Sequence, residues 1–170
     1  AYVRSDQPAK GSANFDQVIA LDPSYADVRV FRASVAATAQ DYETAAQELE
    51  TFYASSPPAA AVQVLQSQGL ERKIFFGLLD PGTRVCWQQA AETQQQGEQF
   101  NQQFLDTLGT CLQAELVKNP QNVDALVSLA LSKVGPEVAD LPAANALLQT
   151  ALQIAPEFGD ALLLRASLAA

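Results

Sequence analysis

The stretch Asp27–Pro57, DVRVFRASVAATAQDYETAAQELETFYASSP, decides the fold. It contains two segments, 27–40 and 41–53, in which apolar or small residues recur at spacings of three and four. That is the period of an α-helix, and neither segment alternates as a half-buried strand would. Asp41 stands between the segments, where an aspartate can cap the second helix by accepting backbone N–H bonds. Because proline cannot continue a helix, Pro57 marks the end of the second one. The stretch therefore predicts a helix–turn–helix unit.

Prolines mark the same unit at other places in the chain. Pro23 precedes Pro57 by 34 residues, and Pro120 precedes Pro156 by 36 residues. Each of these prolines closes a segment with helical periodicity. We expect a second complete unit over residues 123–156, with two extra residues in its turn. A fixed period of this size is typical of a repeat array.

The middle of the chain, residues 58–120, keeps the helical period with less regularity. Segment 59–79 is compatible with one helix broken at Gly69 or with two short helices. The sequence Asp80-Pro81-Gly82-Thr83 has the composition of a turn. We interpret the middle as two divergent helical pairs rather than a separate domain, and expect the second pair at about 84–95 and 98–118.

These features resemble the tetratricopeptide repeat, a family of 34-residue helix–turn–helix units. The similarity rests on the 34-residue spacing, on the turn at Asp41-Tyr42, on small Ala33 and Ala45 where the helices approach closely, and on Pro57. The resemblance covers the two ends of the chain well and its middle poorly.

One repeat departs from the family pattern. The large aromatic residue early in the family's first helix is replaced by Arg29, and the leucine that follows it by Arg32. The resemblance nevertheless implies an all-α fold, a right-handed α-solenoid of antiparallel helix pairs, with about nine helices. We expect a single solenoid over residues 1–170, made of a half-repeat, a repeat, two divergent pairs, a repeat and a half-repeat, at 1–23, 24–57, 58–120, 121–156 and 157–170 respectively.

The two half-repeats are complementary in kind. Segment 8–21 is interpreted as a lone second helix, and segment 160–170 as a lone first helix that overlays 27–37 without a gap. Because a solenoid repeat cannot bury its apolar face alone, we expect the two surfaces to meet between copies. A heterologous contact of this kind propagates as a fibre unless it closes into a ring. The predicted interface residues are Tyr2, Phe15, Val18, Ile19, Leu162, Leu163, Leu164, Arg165 and Leu168.

Several interpretations of the half-repeats stay open. The chain is expected to be a subunit of a head-to-tail extracellular filament, an excerpt of a longer repeat array, or a solenoid whose end helices dock as imperfect caps. The shared register favours the first two, and of these we favour the filament subunit. A function of another class, which the family resemblance implies, is an adaptor that binds a peptide or protein partner in a concave groove. Its predicted lining is Asp27, Val30, Ser34, Asp124, Val127 and Leu131.

Two cysteines, Cys86 and Cys111, flank Gly97, which is expected in or near a turn between two helices. In an antiparallel hairpin they would lie at similar heights, close enough for a disulfide between small-residue helices. The alternative is a pair of buried free thiols. We favour the disulfide, which would indicate an oxidising, extracellular or cell-surface location.

Composition excludes several classes of function. The 170 residues carry 10 basic and 19 acidic side chains, a net charge of −9, and no histidine. This charge disfavours nucleic-acid binding, which depends on lysine and arginine. Without histidine there is no Ser-His-Asp or Cys-His nucleophile and little means of binding zinc. No apolar run is long enough to span a membrane. We therefore expect a non-enzymatic protein with no cofactor, whose partner is itself or another protein; a carboxylate-dependent hydrolase finds no supporting motif.

Overall fold

The computed structural model describes residues 8–22, 25, 27–94, 101–135 and 139–169. This part of the chain is all-α, as the sequence predicts, with one helix more than the nine expected. An isolated bridge joins Val134 and Ala139, and the described residues form no β-strand. The helices are α1 (Pro8–Leu21), α2 (Asp27–Thr38), α3 (Tyr42–Ala54), α4 (Ala59–Ser67), α5 (Leu70–Leu78), α6 (Pro81–Ala91), α7 (Gln102–Lys118), α8 (Val123–Ser132), α9 (Leu141–Ile154) and α10 (Gly159–Ala169).

The chain divides into two compact units. Unit 1 is Ala1–Leu78 and contains α1 to α5, and unit 2 is Leu79–Ala170 and contains α6 to α10. The boundary falls inside the segment that the sequence identifies as divergent. Each unit has its own buried core.

The core of unit 1 forms mainly between α2 and α3. Asp41 caps α3 as expected, since its carboxylate accepts a hydrogen bond from the backbone N–H of Thr44 at 3.1 Å. Small residues on both helices allow close approach, and larger side chains from α3, α4 and α5 fill the space beside them. The buried members of this core are Val30, Ala33, Ala37, Ala45, Leu49, Phe52, Leu65, Leu70 and Ile74.

Two glycines shape the second half of unit 1. The structure has two short helices, α4 and α5, in the segment for which the sequence left one broken helix or two short ones open. Gly69 lies between them with a φ of +61°, a backbone conformation that glycine adopts without steric cost. In α5, a Cβ atom at Gly77 would overlap the ring of Tyr42, so the absence of a side chain lets α5 approach α3 closely.

In unit 2, each helix packs on the next one along the chain. Asp80, Asn101, Asn122 and Asp140 begin α6, α7, α8 and α9 by accepting hydrogen bonds from backbone N–H groups of the first turn. The core around α8 and α9 contains Leu126, Ala130, Ala144, Leu148, Ala151 and Ala161.

The helices of the predicted pair at 84–95 and 98–118 have different limits in the structure. Helix α6 begins at Pro81 rather than at residue 84 because Asp80 caps it and proline fits its first turn. Helix α7 begins at Gln102 because Asn101 accepts a hydrogen bond from the Phe104 N–H at 2.9 Å. Gly97 lies outside the described residues.

A disulfide joins α6 to α7. The sulfur atoms of Cys86 and Cys111 are bonded, and their Cα atoms are 5.4 Å apart. Cys86 is 1% exposed and lies one residue before Trp87, which is itself buried. The bond therefore ties the two helices together within the interior of unit 2.

We expect the disulfide to stabilise unit 2. The bonded cysteines are 25 residues apart in sequence, and closing a loop of this size lowers the entropy of the unfolded chain by the equivalent of about 3 kcal/mol. Replacing both cysteines with alanine should lower the free energy of unfolding by about this amount, as measured by denaturant titration of oxidised protein. A reducing agent should shift the wild-type titration and leave that of the double variant unchanged. Labelling of both cysteines as free thiols in unreduced protein would contradict the assignment.

Candidate functional site

Helix α10 presents two different faces. One carries Leu164 and Leu168, which are half-buried and pack against the core of unit 2. The other carries Leu163, which is 70% exposed. Leu162 is 39% exposed, and Arg165 is exposed. Of the interface residues that the sequence predicts on this helix, Leu164 and Leu168 thus anchor α10 to the core. The others, Leu162, Leu163 and Arg165, are exposed to solvent.

The exposed face of α10 corresponds to a buried face of α2. The overlay of 160–170 on 27–37 places Leu163 on Val30 and Ala166 on Ala33. In α2 these positions are 6% and 0% exposed, because they share a core with side chains of α3. In α10 both positions are exposed. We call Leu163 and Ala166 the open face of α10.

Helix α8 repeats the buried arrangement. Aligning Asp124 with Asp160 places Ala130 on Ala166. Ala130 is 0% exposed and packs in the core that Leu148 of α9 completes. The same alignment places Val127, which is half-buried, on Leu163. In α8 the following helix thus covers the position of Ala166 fully and that of Leu163 in part, whereas both positions of α10 are exposed.

Helix α1 carries a partly covered apolar stripe. Phe15, Val18 and Ile19 are each half-buried, and the ring of Phe15 stacks on Phe31 of α2 with centroids 5.9 Å apart. Tyr2, also predicted at the interface, lies outside the described residues. The stripe thus makes contact with α2 and keeps part of its surface open.

Alignment of α1 with α3 and α9 through the prolines that follow them shows which positions the α1 stripe corresponds to. Setting Pro23 on Pro57 places Phe15 on Leu49 of α3, and setting it on Pro156 places Phe15 on Leu148 of α9. Those two leucines are 7% and 0% exposed in the cores of their units. The stripe on α1 therefore occupies the positions with which α3 and α9 cover the preceding helix.

Three charged groups lie together where α2 meets α3. Glu48 is only 7% exposed and accepts from Arg29 and from Arg32, each at 3.0 Å. Arg32 also binds the exposed Asp16 of α1 at 3.0 Å. A buried carboxylate is tolerated when such partners neutralise it. The two arginines that depart from the repeat pattern thus have a structural role that the sequence did not reveal.

A cleft opens in unit 1 near the start of α2. Its volume is about 290 Å³, and its walls are mostly apolar. Of the predicted groove residues, Asp27 and Val30 contribute to these walls, whereas Ser34 is half-buried further along α2. The remaining lining comes from α2, from α4 and its preceding turn, and from the turn after α4, and comprises Phe31, Pro58, Ala60, Ala61 and Gln68.

The other predicted groove residues lie on α8 in unit 2, where Asp124, Val127 and Leu131 are each half-buried. The Asp124 carboxylate accepts a hydrogen bond from the backbone N–H of Asp80 at 2.7 Å. Burial raises the pKa of Asp124 above its usual value, the Asp80 hydrogen bond opposes this rise, and the negative charges of Asp80 and Asp160 add to it. Asp124 therefore helps to join the starts of α6 and α8.

A set of polar side chains links the same two helices. The Asn122 amide donates to Asp80 at 2.9 Å, and its carbonyl accepts from the backbone N–H of Ala125 at 3.0 Å. Further along, the indole N–H of Trp87 donates to the Ser128 hydroxyl at 3.0 Å. Because buried polar groups must be paired, these bonds fix α6 against α8. The sequence contains no signal that pairs Trp87 with Ser128.

Within the described residues, no group of three or more cysteine or acidic side chains is arranged to hold a metal ion. Nor does that part of the chain contain a helix that combines the length and apolar character needed to cross a membrane. No family model, curated protein or solved structure matches the chain.

The raised pKa of Asp124 predicts a pH-dependent stability. Because the fold disfavours its charged form, protonation as the pH falls through the folded-state pKa stabilises the wild type. Replacing Asp124 with Asn removes this dependence and keeps an oxygen that can accept from Asp80. The variant should be more stable near pH 7, by less than about 1 kcal/mol because solvent screens a half-buried carboxylate, and the gain should shrink on acidification.

Thermal unfolding followed by circular dichroism between about pH 4 and pH 7 measures this difference. Glu50→Gln, which removes an exposed carboxylate on α3, serves as the control. A stability gain for Asp124→Asn that grows on acidification would contradict the assigned direction of the pKa shift.

Proposed function

We propose that this chain is a non-enzymatic structural protein whose copies associate head to tail. In the proposed junction, α1 of one copy covers the open face of α10 of another and completes a helix pair of the α2–α3 kind. The observation that carries the proposal is the contrast between Leu163, 70% exposed, and its counterpart Val30, 6% exposed. Removing an apolar side chain of this size from water is favourable by about 1.5–3 kcal/mol.

The choice of α1 as the covering helix rests on register. Phe15 stands where α3 and α9 place Leu49 and Leu148, the residues that cover α2 and α8. In the same alignments Gly11 stands where those helices have Ala45 and Ala144. A small residue at this position lets two helices approach closely, as Ala45 does in the core of unit 1.

Further features of the proposal follow from such a junction. Repetition of a heterologous contact builds a filament unless the rotation between copies closes a ring. We propose that the helix pairs form a right-handed solenoid like that of the tetratricopeptide repeats, as the sequence pattern implies. The disulfide between Cys86 and Cys111 supports an extracellular or cell-surface filament, because disulfides persist in oxidising surroundings.

Replacing Leu163 with Asp tests the junction. An aspartate on the open face would be desolvated without a partner. The concentration at which copies associate should therefore rise by at least about tenfold. Sedimentation velocity over a concentration series measures the effect, and electron microscopy shows whether filaments persist. Val117→Asp is the matched control, because Val117 is 83% exposed on α7 and lies outside both proposed surfaces.

Phe15→Asp on the other side of the junction should weaken association to a similar degree, and equimolar mixing of the two variants should restore dimers through the intact surfaces. Because Phe15 also stacks on Phe31, Phe31→Ala, which removes that contact and leaves Phe15 in place, is its control and should leave association unchanged. Leu164 and Leu168 are unsuitable for this test because they anchor α10 to the core of unit 2. A wild-type protein that remains monomeric at every concentration would overturn the proposal, and would favour a longer array in which further helices cover the same faces.

The cleft of unit 1 favours a second candidate function, an adaptor that binds a peptide or protein partner. Its apolar walls and the acidic side chain of Asp27 suit an apolar side chain next to a basic one. Ala60→Trp would fill the cleft and should abolish binding of such peptides in a fluorescence titration, while self-association stays unchanged. Retention of peptide binding by this variant would exclude the cleft as the binding site.

A further inference from the structure

Arg165 lies next to the open face of α10, and the arginine at the equivalent position of α2 has partners in the structure. The overlay of 160–170 on 27–37 places Arg165 on Arg32. Arg32 is held from two sides: its Nε donates to Glu48 of the following helix, α3, and its Nη1 donates to Asp16 of the preceding helix, α1, both at 3.0 Å. An arginine at this position therefore contacts the helices on either side of its own.

Arg165 has neither of these partners among the residues that the structure describes. It is exposed and forms no ion pair with any described residue. The register that sets Pro156 on Pro23 places Gln149 of α9 at the position of Asp16. On the side of the preceding helix, the carboxylate is thus replaced by an exposed amide.

The covering helix in the proposed junction also supplies an amide. The register that sets Pro57 on Pro23 places Asn14 of α1 at the position of Glu48. Asn14 is exposed, and its side-chain carbonyl can accept from a guanidinium group, which carries five N–H donors. Among its neighbours one turn away along the helix, Gly11 and Val18 have no side-chain acceptor, whereas the exposed Gln17 carries a second amide.

We infer that Arg165 sets the register of the junction by donating to the side-chain carbonyl of Asn14 in a second copy. A slip of α1 by one turn in one direction would bring Gln17 or Val18 beside the guanidinium. A slip in the other direction would bring Gly11 there and leave the donors without partners. Such a loss is costly when the surroundings exclude water. Burial of the apolar stripe supplies the attraction between the copies, and the arginine favours the alignment of α1 on α10 that places Asn14 beside it.

The strength of this contact depends on whether the acceptor is a carboxylate or an amide. At the α2–α3 position the acceptor is a carboxylate, and hydrogen bonds to an ionised acceptor are roughly twice as strong as those between neutral groups. An amide in place of Glu48 therefore gives a junction weaker than the equivalent contact inside unit 1. This inference rests on the proposed head-to-tail function. Its test distinguishes failure of the Arg165 contact from failure of head-to-tail association itself.

The test changes the charge on each side of the contact. Asn14→Asp should lower the concentration at which copies associate by about tenfold at low salt, with a smaller gain at high salt. Arg165→Glu should raise it by about tenfold. The double variant Arg165→Glu/Asn14→Arg should return it close to the wild-type value, because the reversed pair restores an opposite-charge contact. Sedimentation velocity measures all four proteins.

Ala20→Asp is the matched control, since it adds the same charge to an exposed position on another face of α1 and should leave association unchanged. Thermal unfolding of each variant at low concentration should match the wild type. If the wild type associates but Asn14→Asp has no effect and the reversed pair fails to restore association, the inference about Arg165 is wrong and the junction stands. A wild type that never associates overturns both.

Discussion

Coverage of small and apolar residues on one helix by the next is the constraint on which this structure depends. In unit 1, Ala33 and Ala37 of α2 are fully buried because α3 approaches closely at Ala45. In unit 2, α9 covers α8 in the same way through Ala144 and Leu148. Small side chains give little hydrophobic free energy by themselves, but they allow larger neighbours such as Phe52 to reach interior packing density. A helix in this arrangement is complete only when both of its neighbours are present.

The two arginines of α2 illustrate how a pair of packed helices accommodates polar residues. In the sequence, Arg29 and Arg32 are departures from the tetratricopeptide pattern that the chain resembles. In the structure they neutralise Glu48, which α3 places in a nearly buried position. Removal of both arginines would leave the Glu48 charge uncompensated in a nearly buried position. The departure therefore involves two helices together, which a position-by-position comparison with a repeat pattern does not show.

Much of the fold was predictable from the sequence because proline, aspartate and glycine act locally. The limits of α1 agree with the prediction, and Asp41 caps α3 as expected. The start of α6 was missed by three residues, since the sequence 80–83 suits a turn as well as a capped helix whose proline occupies the first turn. The division into two units and the hydrogen bond between Trp87 and Ser128 depend on contacts between distant residues. A single sequence carries no record of such contacts.

The surface of α10 combines an ordered backbone with an uncovered apolar face. Ala161 is fully buried, and Leu164 and Leu168 pack against the same core, so this helix is held in place by its own unit. A partner that covers Leu163 would therefore gain from burial without first having to order the helix. Much of the entropy cost of association comes from ordering side chains and segments at the interface, and a preorganised helix avoids part of it. The anchoring of α10 within unit 2 would thus lower the entropy cost of the proposed junction.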